Sequence, residues 1–164
     1  NILEVGGGAL MDIGCYCISF PRFILGQEPK RVVGIMDRDP VMKTDRLTSG
    51  ILDFSEGVSS LFTCSTQLMP FQRTQIFGTS GKIEVEIPVN APPDQPVKIQ
   101  LSTTEKNEEF VFPAVDQYTE QAKEFANAIL NDTAVPTNFE DAINNMKVID
   151  AIIESAEKNQ WKNC

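Results

Sequence analysis

The spacing of hydrophobic residues along this chain changes period twice. At the N-terminal end, Leu10, Ile13, Cys17 and Ile24/Leu25 recur at helical intervals, which predicts a helix over residues 8–25 with these side chains on its buried side. Pro21 is expected to kink or divide that helix, and Gly26 followed by Pro29 to end it. Gly14 falls inside it, where a glycine costs about 1 kcal/mol relative to alanine, so close approach of another group is expected there. From Lys30 to Phe112 the texture becomes that of strands, at 30–36, 46–54, 57–66, 73–79, 81–87, 97–103 and 109–113. The clearest is 81–87, where Ile83, Val85 and Ile87 alternate with Lys82, Glu84 and Glu86. Ser55-Glu56-Gly57 and Thr79-Ser80-Gly81 carry hairpin-loop chemistry, which predicts antiparallel neighbours. The segment 90–96, NAPPDQP, reads as a proline-rich loop.

Helical spacing then returns. A helix over about 117–131 is expected to start at an Asp116 cap and to bury Tyr118, Ala122, Phe125 and Ile129. A last helix, 138–158, opens on Thr137 with Glu140 three residues on, the pattern of a capping box, and carries Ala142, Met146, Ile149, Ile153 and Ala156 on one stripe. Helix, run of strands, two helices defines an α+β domain: a large, mostly antiparallel, open-faced sheet with helices packed on one face. The other face mixes Ser49, Ser59, Ser60, Thr63, Ser65 and Thr66 with Leu and Phe. That texture suits a flat partner, and a two-fold homodimer with strands 46–79 central to the contact is the simplest way to cover it.

Composition narrows the classes. The 164 residues fit one domain, with 41% hydrophobic and 23% charged residues as in soluble globular proteins. Net charge is −9, with no basic stripe, which argues against a nucleic-acid surface. No apolar run approaches the ~20 residues of a membrane helix, and no signal peptide opens the chain, so a cytoplasmic protein is expected. The four cysteines, Cys15, Cys17, Cys64 and Cys164, read as free thiols of a reducing compartment. Histidine is absent, removing the commonest zinc ligand and general base, and no metal site is expected. Asn1 leads directly into an apolar, glycine-rich segment without an initiator Met, which suggests a piece of a longer chain.

The candidate chemistry lies in GGGALMDIGCYC, residues 6–17. Asp12 and Tyr16, four apart, project from one side of a helix just after a glycine run. Two readings are open. An acid beside a phenol can hold and deprotonate an alcohol, provided a cation lowers the tyrosine pKa, near 10 when free. Equally, both residues can simply line the polar side of an amphipathic helix. Other polar residues are plainer: Tyr118 belongs to a core stripe, Arg73 decorates a strand, Trp161 packs near the last helix, and Asp37, Arg38 and Asp39 form a solvated loop.

Residues 6–34 resemble the helix that opens the C-terminal domain of the glucose–fructose oxidoreductase / inositol dehydrogenase family (Gfo/Idh/MocA). Gly7, Gly8, Leu10, Asp12, Gly14 and Tyr16 fill its GG-x-L-x-D-x-G-x-H/Y signature, and IFGTSGKIEV, YTEQAKEFANAIL and AINNMKVIDAIIESA continue the likeness over essentially the whole chain. Tyrosine at the last signature position is similar to the branch of xylose dehydrogenases and dimeric dihydrodiol dehydrogenases. The resemblance implies a substrate-binding and oligomerisation domain over 1–164. The full enzyme would use NAD or NADP to oxidise a CH–OH group of a sugar, polyol or diol, with Asp12 and Tyr16 as catalytic and substrate-binding residues and Gly14 leaving room for the nicotinamide. The family's N-terminal Rossmann domain, with its GxGxxG fingerprint and the lysine of its Glu-Lys-Pro motif, is missing from this sequence, and Gly6–Gly8 lack the strand–turn–helix setting to replace it. The isolated chain is therefore expected to be inactive and to bind no cofactor. The rival reading is a non-enzymatic dimerisation or ligand-binding module.

Overall fold

A computed structural model describes residues 2–164. Asn1, from which the sequence suggests a longer chain, lies outside them. Where length suggests one domain, the chain forms two compact units: the residues up to Leu68 together with Thr137–Cys164, and Met69–Pro136. Both are α+β with antiparallel strands. The strands do not form one large sheet but two of four strands each, ordered β3-β2-β1-β8 and β4-β5-β6-β7.

The first unit begins with a π-helical turn, Leu10–Gly14, running into α1, Cys15–Leu25. Strands β1 (Arg31–Arg38), β2 (Asp45–Ser55) and β3 (Val58–Ser65) form a meander, with Val33 opposite Ile51 and Ile51 opposite Leu61. Because pleating alternates side chains, Val32, Leu52 and Phe54 turn inward, while Val33, Ile35, Ile51 and Leu61 turn to the other face. The inward residues pack with Leu10, Ile18 and α3, Phe139–Lys158, through Val148, Ile149, Ala151 and Ile152. After α3, Lys162–Asn163 (β8) adds a short antiparallel edge beside Arg31 and Val32. Thus α1 and α3 cover one face of this sheet.

The second unit contains β4 (Thr74–Gly78), β5 (Gly81–Val85), β6 (Val97–Thr103), β7 (Asn107–Phe112) and α2, Gln117–Asn131. Asp116 caps α2 as expected, accepting from the Tyr118 N–H at 3.0 Å and the Thr119 hydroxyl at 2.7 Å. The expected stripe is not buried: Tyr118, Phe125 and Ile129 are exposed, and Ala128 is the buried residue among those described in this helix. Polar anchoring replaces packing, with the Tyr118 hydroxyl donating to Asn90 Oδ1 at 3.0 Å.

Three local expectations change. Pro21 does not divide α1, which runs continuously through it; the departure from α geometry comes earlier, in the π turn. The cap of α3 is Asn138, whose Oδ1 accepts from the Asp141 N–H at 2.9 Å, one residue beyond Thr137. Trp161 lies past the end of α3, under the Arg31 guanidinium at 4.6 Å from its ring centroid, instead of packing as part of a helix.

Candidate functional site

The glycine run ends where a carboxylate from another element meets it. Asp45, at the start of β2 and buried, accepts a hydrogen bond from the Leu10 N–H and another from the Thr48 hydroxyl, both at 2.8 Å and both on Oδ2. Its Oδ1 stands where a Gly8 side chain would begin: a Cβ there would lie 2.0 Å away. Gly8 also has φ +139, a conformation that side-chain-bearing residues rarely adopt. The Gly8 carbonyl in turn accepts from the Asp12 N–H at 3.1 Å. A helix start leaves N–H groups without intrahelical partners, and Asp45 supplies an acceptor for one of them across the fold.

The π turn and α1 present two different sides. Leu10, Gly14, Ile18 and Arg22, spaced by four, are buried toward the sheet and α3. Asp12 and Tyr16 fall between them and are exposed, Tyr16 at 44%. Four residues is close to one full turn in either α or π geometry, so both leave the same side of the helix. Hydrogen bonds here use their backbone carbonyls: Cys15 Sγ donates to Asp12 O, and Ser19 Oγ to Tyr16 O. Among the described residues, the Asp12 carboxylate and the Tyr16 hydroxyl have no hydrogen-bond partner. A cleft of about 450 Å³, lined by Ile2, Val5, Gly6–Gly8, Met11 and Asp12, opens beside Asp12; Tyr16, one turn on, is not part of its wall. Single-turn π segments recur at functional sites, because the wider turn re-aims side chains that a regular helix would place elsewhere.

Gly14 lies on the other side. A Cβ there would stand 2.8 Å from Leu10 Cδ1 and 3.0 Å from Cys64 Sγ of β3. The close approach expected of this glycine is therefore an approach to the sheet, which accounts for it without a nicotinamide. The buried Cys64 thiol donates to Thr48 O, and burial pushes its pKa up to about 12. Burial also raises Cys15 and Cys17. All four cysteines are free, and burial raises Cys164 as well, to about 11, so each is held in the thiol form, which is a poor nucleophile.

The remaining candidates have structural partners. Arg73 pairs with Glu84 at 2.7 Å, and Asp37 with Arg46 at 2.6 Å. Asp39 accepts from the N–H groups of Val41 and Met42 and from Gln67 Nε2; these donors, the Met42 N–H foremost, hold its carboxyl down at about 2. Among the described residues no group of three metal-ligating side chains occurs, and no helix is long and apolar enough to cross a membrane. Sequence patterning missed two buried charged residues, Asp45 and Arg22. Asp45 looks like one more strand-edge charge, and its only trace is the glycine run it requires. Arg22 looks like a surface residue of a basic helix end. Instead its side chain is 3% exposed and donates to Glu28, Asp141 and Asn145. Its burial shifts the expected inward stripe by one residue, from Ile13 and Cys17 to Gly14 and Ile18.

An antiparallel α+β domain whose first helix carries an exposed Asp–Tyr pair after a capped glycine run is a recognisable class. Residues 2–84 match the family model of the GFO/IDH/MocA C-terminal domain, and the chain belongs to this family. It is 39% identical over 168 residues to an uncharacterized oxidoreductase, ORF334, of Rhizobium meliloti, a match covering 99% of this chain and 50% of that protein. It is 28% identical over 154 residues to D-xylose 1-dehydrogenase (NADP(+)) 2 of Haloferax volcanii, covering 94% of this chain and 47% of the relative. Among solved structures, the fold matches aldose-aldose oxidoreductase from Caulobacter crescentus complexed with glycerol at TM-score 0.84 and 22% identity, over 97% of this chain and 48% of that one. The chain spans about half the length of the curated relatives it matches.

Proposed function

We propose that this chain is the C-terminal, substrate-binding and oligomerisation part of an NAD(P)-dependent oxidoreductase acting on a CH–OH group of a sugar, polyol or diol. The observation that carries the reading is the Asp12–Tyr16 pair: exposed on one side of a helix, Asp12 at the wall of a cleft, and neither polar end hydrogen-bonded among the described residues. The π turn that carries Asp12 begins at Leu10, whose N–H is held by the buried Asp45. Family membership, with xylose dehydrogenase among the relatives, agrees with this chemistry.

In this reading the Tyr16 oxygen takes the proton from the substrate hydroxyl, and the Asp12 carboxylate accepts a hydrogen bond from a neighbouring hydroxyl and fixes its orientation. NAD or NADP, when bound, supplies the hydride acceptor. Asp12 and Tyr16 would face the substrate from their exposed side, while Gly14 packs against Leu10 and Cys64 on the other. The cation that activates tyrosine, and most of the cofactor's binding surface, belong to a Rossmann domain elsewhere in the longer protein. Free cysteines support a reducing, cytoplasmic setting. The outward sheet face of β1–β3, with Val33, Ile35, Ile51 and Leu61, is the surface for a homodimer.

The decisive experiment uses the full-length protein with a panel of aldoses, polyols and diols and both cofactors. Tyr16→Phe should lower kcat by ~10²-fold or more while cofactor affinity is kept, since a positioned base contributes 10²–10⁴. Near-wild-type turnover would reduce Tyr16 to scaffolding. The 164-residue chain alone should neither bind nor reduce NAD(P), and micromolar binding in calorimetry would refute that.

A further inference from the structure

We infer that Asp45 is a positioning residue for this site, acting on Asp12 and Tyr16 through the backbone of the glycine run. The inference rests on the catalytic reading of Asp12 and Tyr16 given above.

The connection is short and made of direct contacts. Asp45 Oδ2 accepts the Leu10 N–H at 2.8 Å, and Thr48, itself fully buried, donates its hydroxyl to the same oxygen at 2.8 Å. The second oxygen presses on Gly8. Gly8 O holds the Asp12 N–H at 3.1 Å, so residues 8, 10 and 12 are tied together around one carboxylate. Tyr16 follows one turn later on the same helix. The segment before Gly8 is closed on itself, the Gly7 N–H donating to Ile2 O at 2.9 Å, with Ile2 and Val5 exposed, whereas Asp45 ties the helix start to β2. Without Asp45 the Leu10 N–H loses its acceptor, and the start of the π turn can shift along the sheet.

A helix-capping carboxylate normally stabilises and does no more. Two features here point further. The contact is made across 35 residues of sequence, from β2 of the rigid sheet, so it fixes the helix start relative to the core and not only to itself. It also demands glycine at position 8, in a strained conformation, immediately before the residues read as reactive. Displacement of a reacting group by about 1 Å costs on the order of 10²-fold in rate. Loss of Asp45 should therefore appear in kcat and leave the cofactor-binding half untouched.

The test is made in the full-length protein, with turnover normalised to folded enzyme. Asp45→Ala should lower kcat at least 10-fold with the Kd for NAD(P) unchanged. Asp45→Asn keeps an oxygen acceptor for the Leu10 N–H and should recover turnover to within about threefold of wild type. Amide hydrogen exchange at Leu10 and Asp12 should quicken in the alanine variant and stay slow in the asparagine one. If Asp45→Ala proves too unstable to assay, Thr48→Val serves: it removes the second donor to Oδ2 and should produce a smaller fall in kcat in the same direction. Turnover per folded molecule unchanged in Asp45→Ala, or in Thr48→Val where the alanine variant cannot be assayed, overturns the inference, as does a loss that asparagine fails to rescue. Quickened exchange at Leu10 with Tyr16→Phe fully active would separate the two claims: the anchor would stand as geometry, and the catalytic reading would be the one to fail.

Discussion

Glu28 grips the guanidinium of Arg22 with both oxygens, Oε2 on Nε at 2.6 Å and Oε1 on Nη2 at 2.8 Å. The same guanidinium donates to Asp141 Oδ1 at 2.9 Å and Asn145 Oδ1 at 3.0 Å, so one buried arginine joins the end of α1 to the first turns of α3. A planar fork with most of its donors engaged is the geometry lysine cannot reproduce. Arg22→Met fills the volume but leaves two carboxylates facing each other. Removing one partner of a buried pair costs about 3–5 kcal/mol. Glu28 and Asp141 are half-exposed, and solvent screening reduces the expected loss to about 2 kcal/mol. Urea unfolding of the variant checks it, and a midpoint unchanged from wild type would contradict the coupling.

The same pair sets an acid limit on stability. The hydrogen bond and charge of Arg22 hold the Glu28 carboxyl below its ordinary value of 4.5. A carboxyl whose folded pKa is lowered contributes stability that is complete above the unfolded value and disappears as pH falls through the folded one. The loss should therefore begin near pH 4.5 and deepen below it. Glu28→Gln should be less stable than wild type at neutral pH and show a flatter profile on acidification. Melting temperatures at intervals between about pH 6 and about pH 3 read the difference; parallel profiles would assign the acid sensitivity to other carboxylates.

A third prediction concerns the fit of α3 on the sheet. A Cβ on Gly34 would stand 2.8 Å from Ile152 Cγ2 and 3.1 Å from the Ile152 carbonyl oxygen. The Gly34 N–H donates to Ser155 Oγ at 3.1 Å, and that hydroxyl donates onward to Gln160 O at 2.6 Å. Ile152 and Ser155 are both fully buried, so neither can swing away into solvent. Gly34→Ala should lift α3 from β1 and cost about 1–3 kcal/mol, the range for overpacking a filled core. Thermal denaturation measures this directly, and a variant as stable as wild type would show that α3 has room to slide.

These contacts mark how far the sequence could be read. Alternation at 81–87 identifies β5 because a strand's side chains reverse at every residue, whatever packs on them, and turn residues at 55–57 and 79–81 disclose antiparallel pairing in the same local way. The stripe of α1 is one residue away from the hydrophobic pattern, since Arg22 and Gly14 face inward for reasons that hydrophobicity does not encode: one is satisfied by acids of α3 and of the loop after α1, the other admits Cys64. That Asp12 and Tyr16 leave one side of a helix was legible because their spacing is local. Asp45 was not, because the hydrogen bond that gives it meaning spans 35 residues. The division of the strands into two sheets was equally out of reach, as no local pattern states which strands share an edge.

The last prediction concerns the face that α1 and α3 leave uncovered. Across β1, β2 and β3, Val33, Ile51 and Leu61 form one row, and Ile35, Ser49 and Thr63 the next. Ser49 and Thr63 satisfy each other through a 2.8 Å hydrogen bond, which removes their demand for water and leaves the row flat. Ile35 on β1 is 74% exposed and Leu61, on the edge strand β3, 73%, so two large apolar side chains stand open on this face. Charge is confined to the margins, where Arg31 pairs with Asp53 at 2.7 Å and Asp37 with Arg46 at 2.6 Å. An apolar centre with a paired, polar rim is the anatomy of an interface. A second copy related by a two-fold axis presents the same flat rows in return, so the face is self-complementary without further adaptation. The chain should therefore be a dimer at micromolar concentration. Ile35→Lys combined with Leu61→Lys places two ammonium groups in each face, and four across the contact, and should convert the protein to monomer. Neither residue belongs to the core beneath the helices, so circular dichroism and melting temperature of the double variant should stay close to those of a monomeric state. Light scattering decides the matter. A wild-type mass of one chain at every concentration, or a dimer unaffected by both lysines, would place any self-association elsewhere on the molecule.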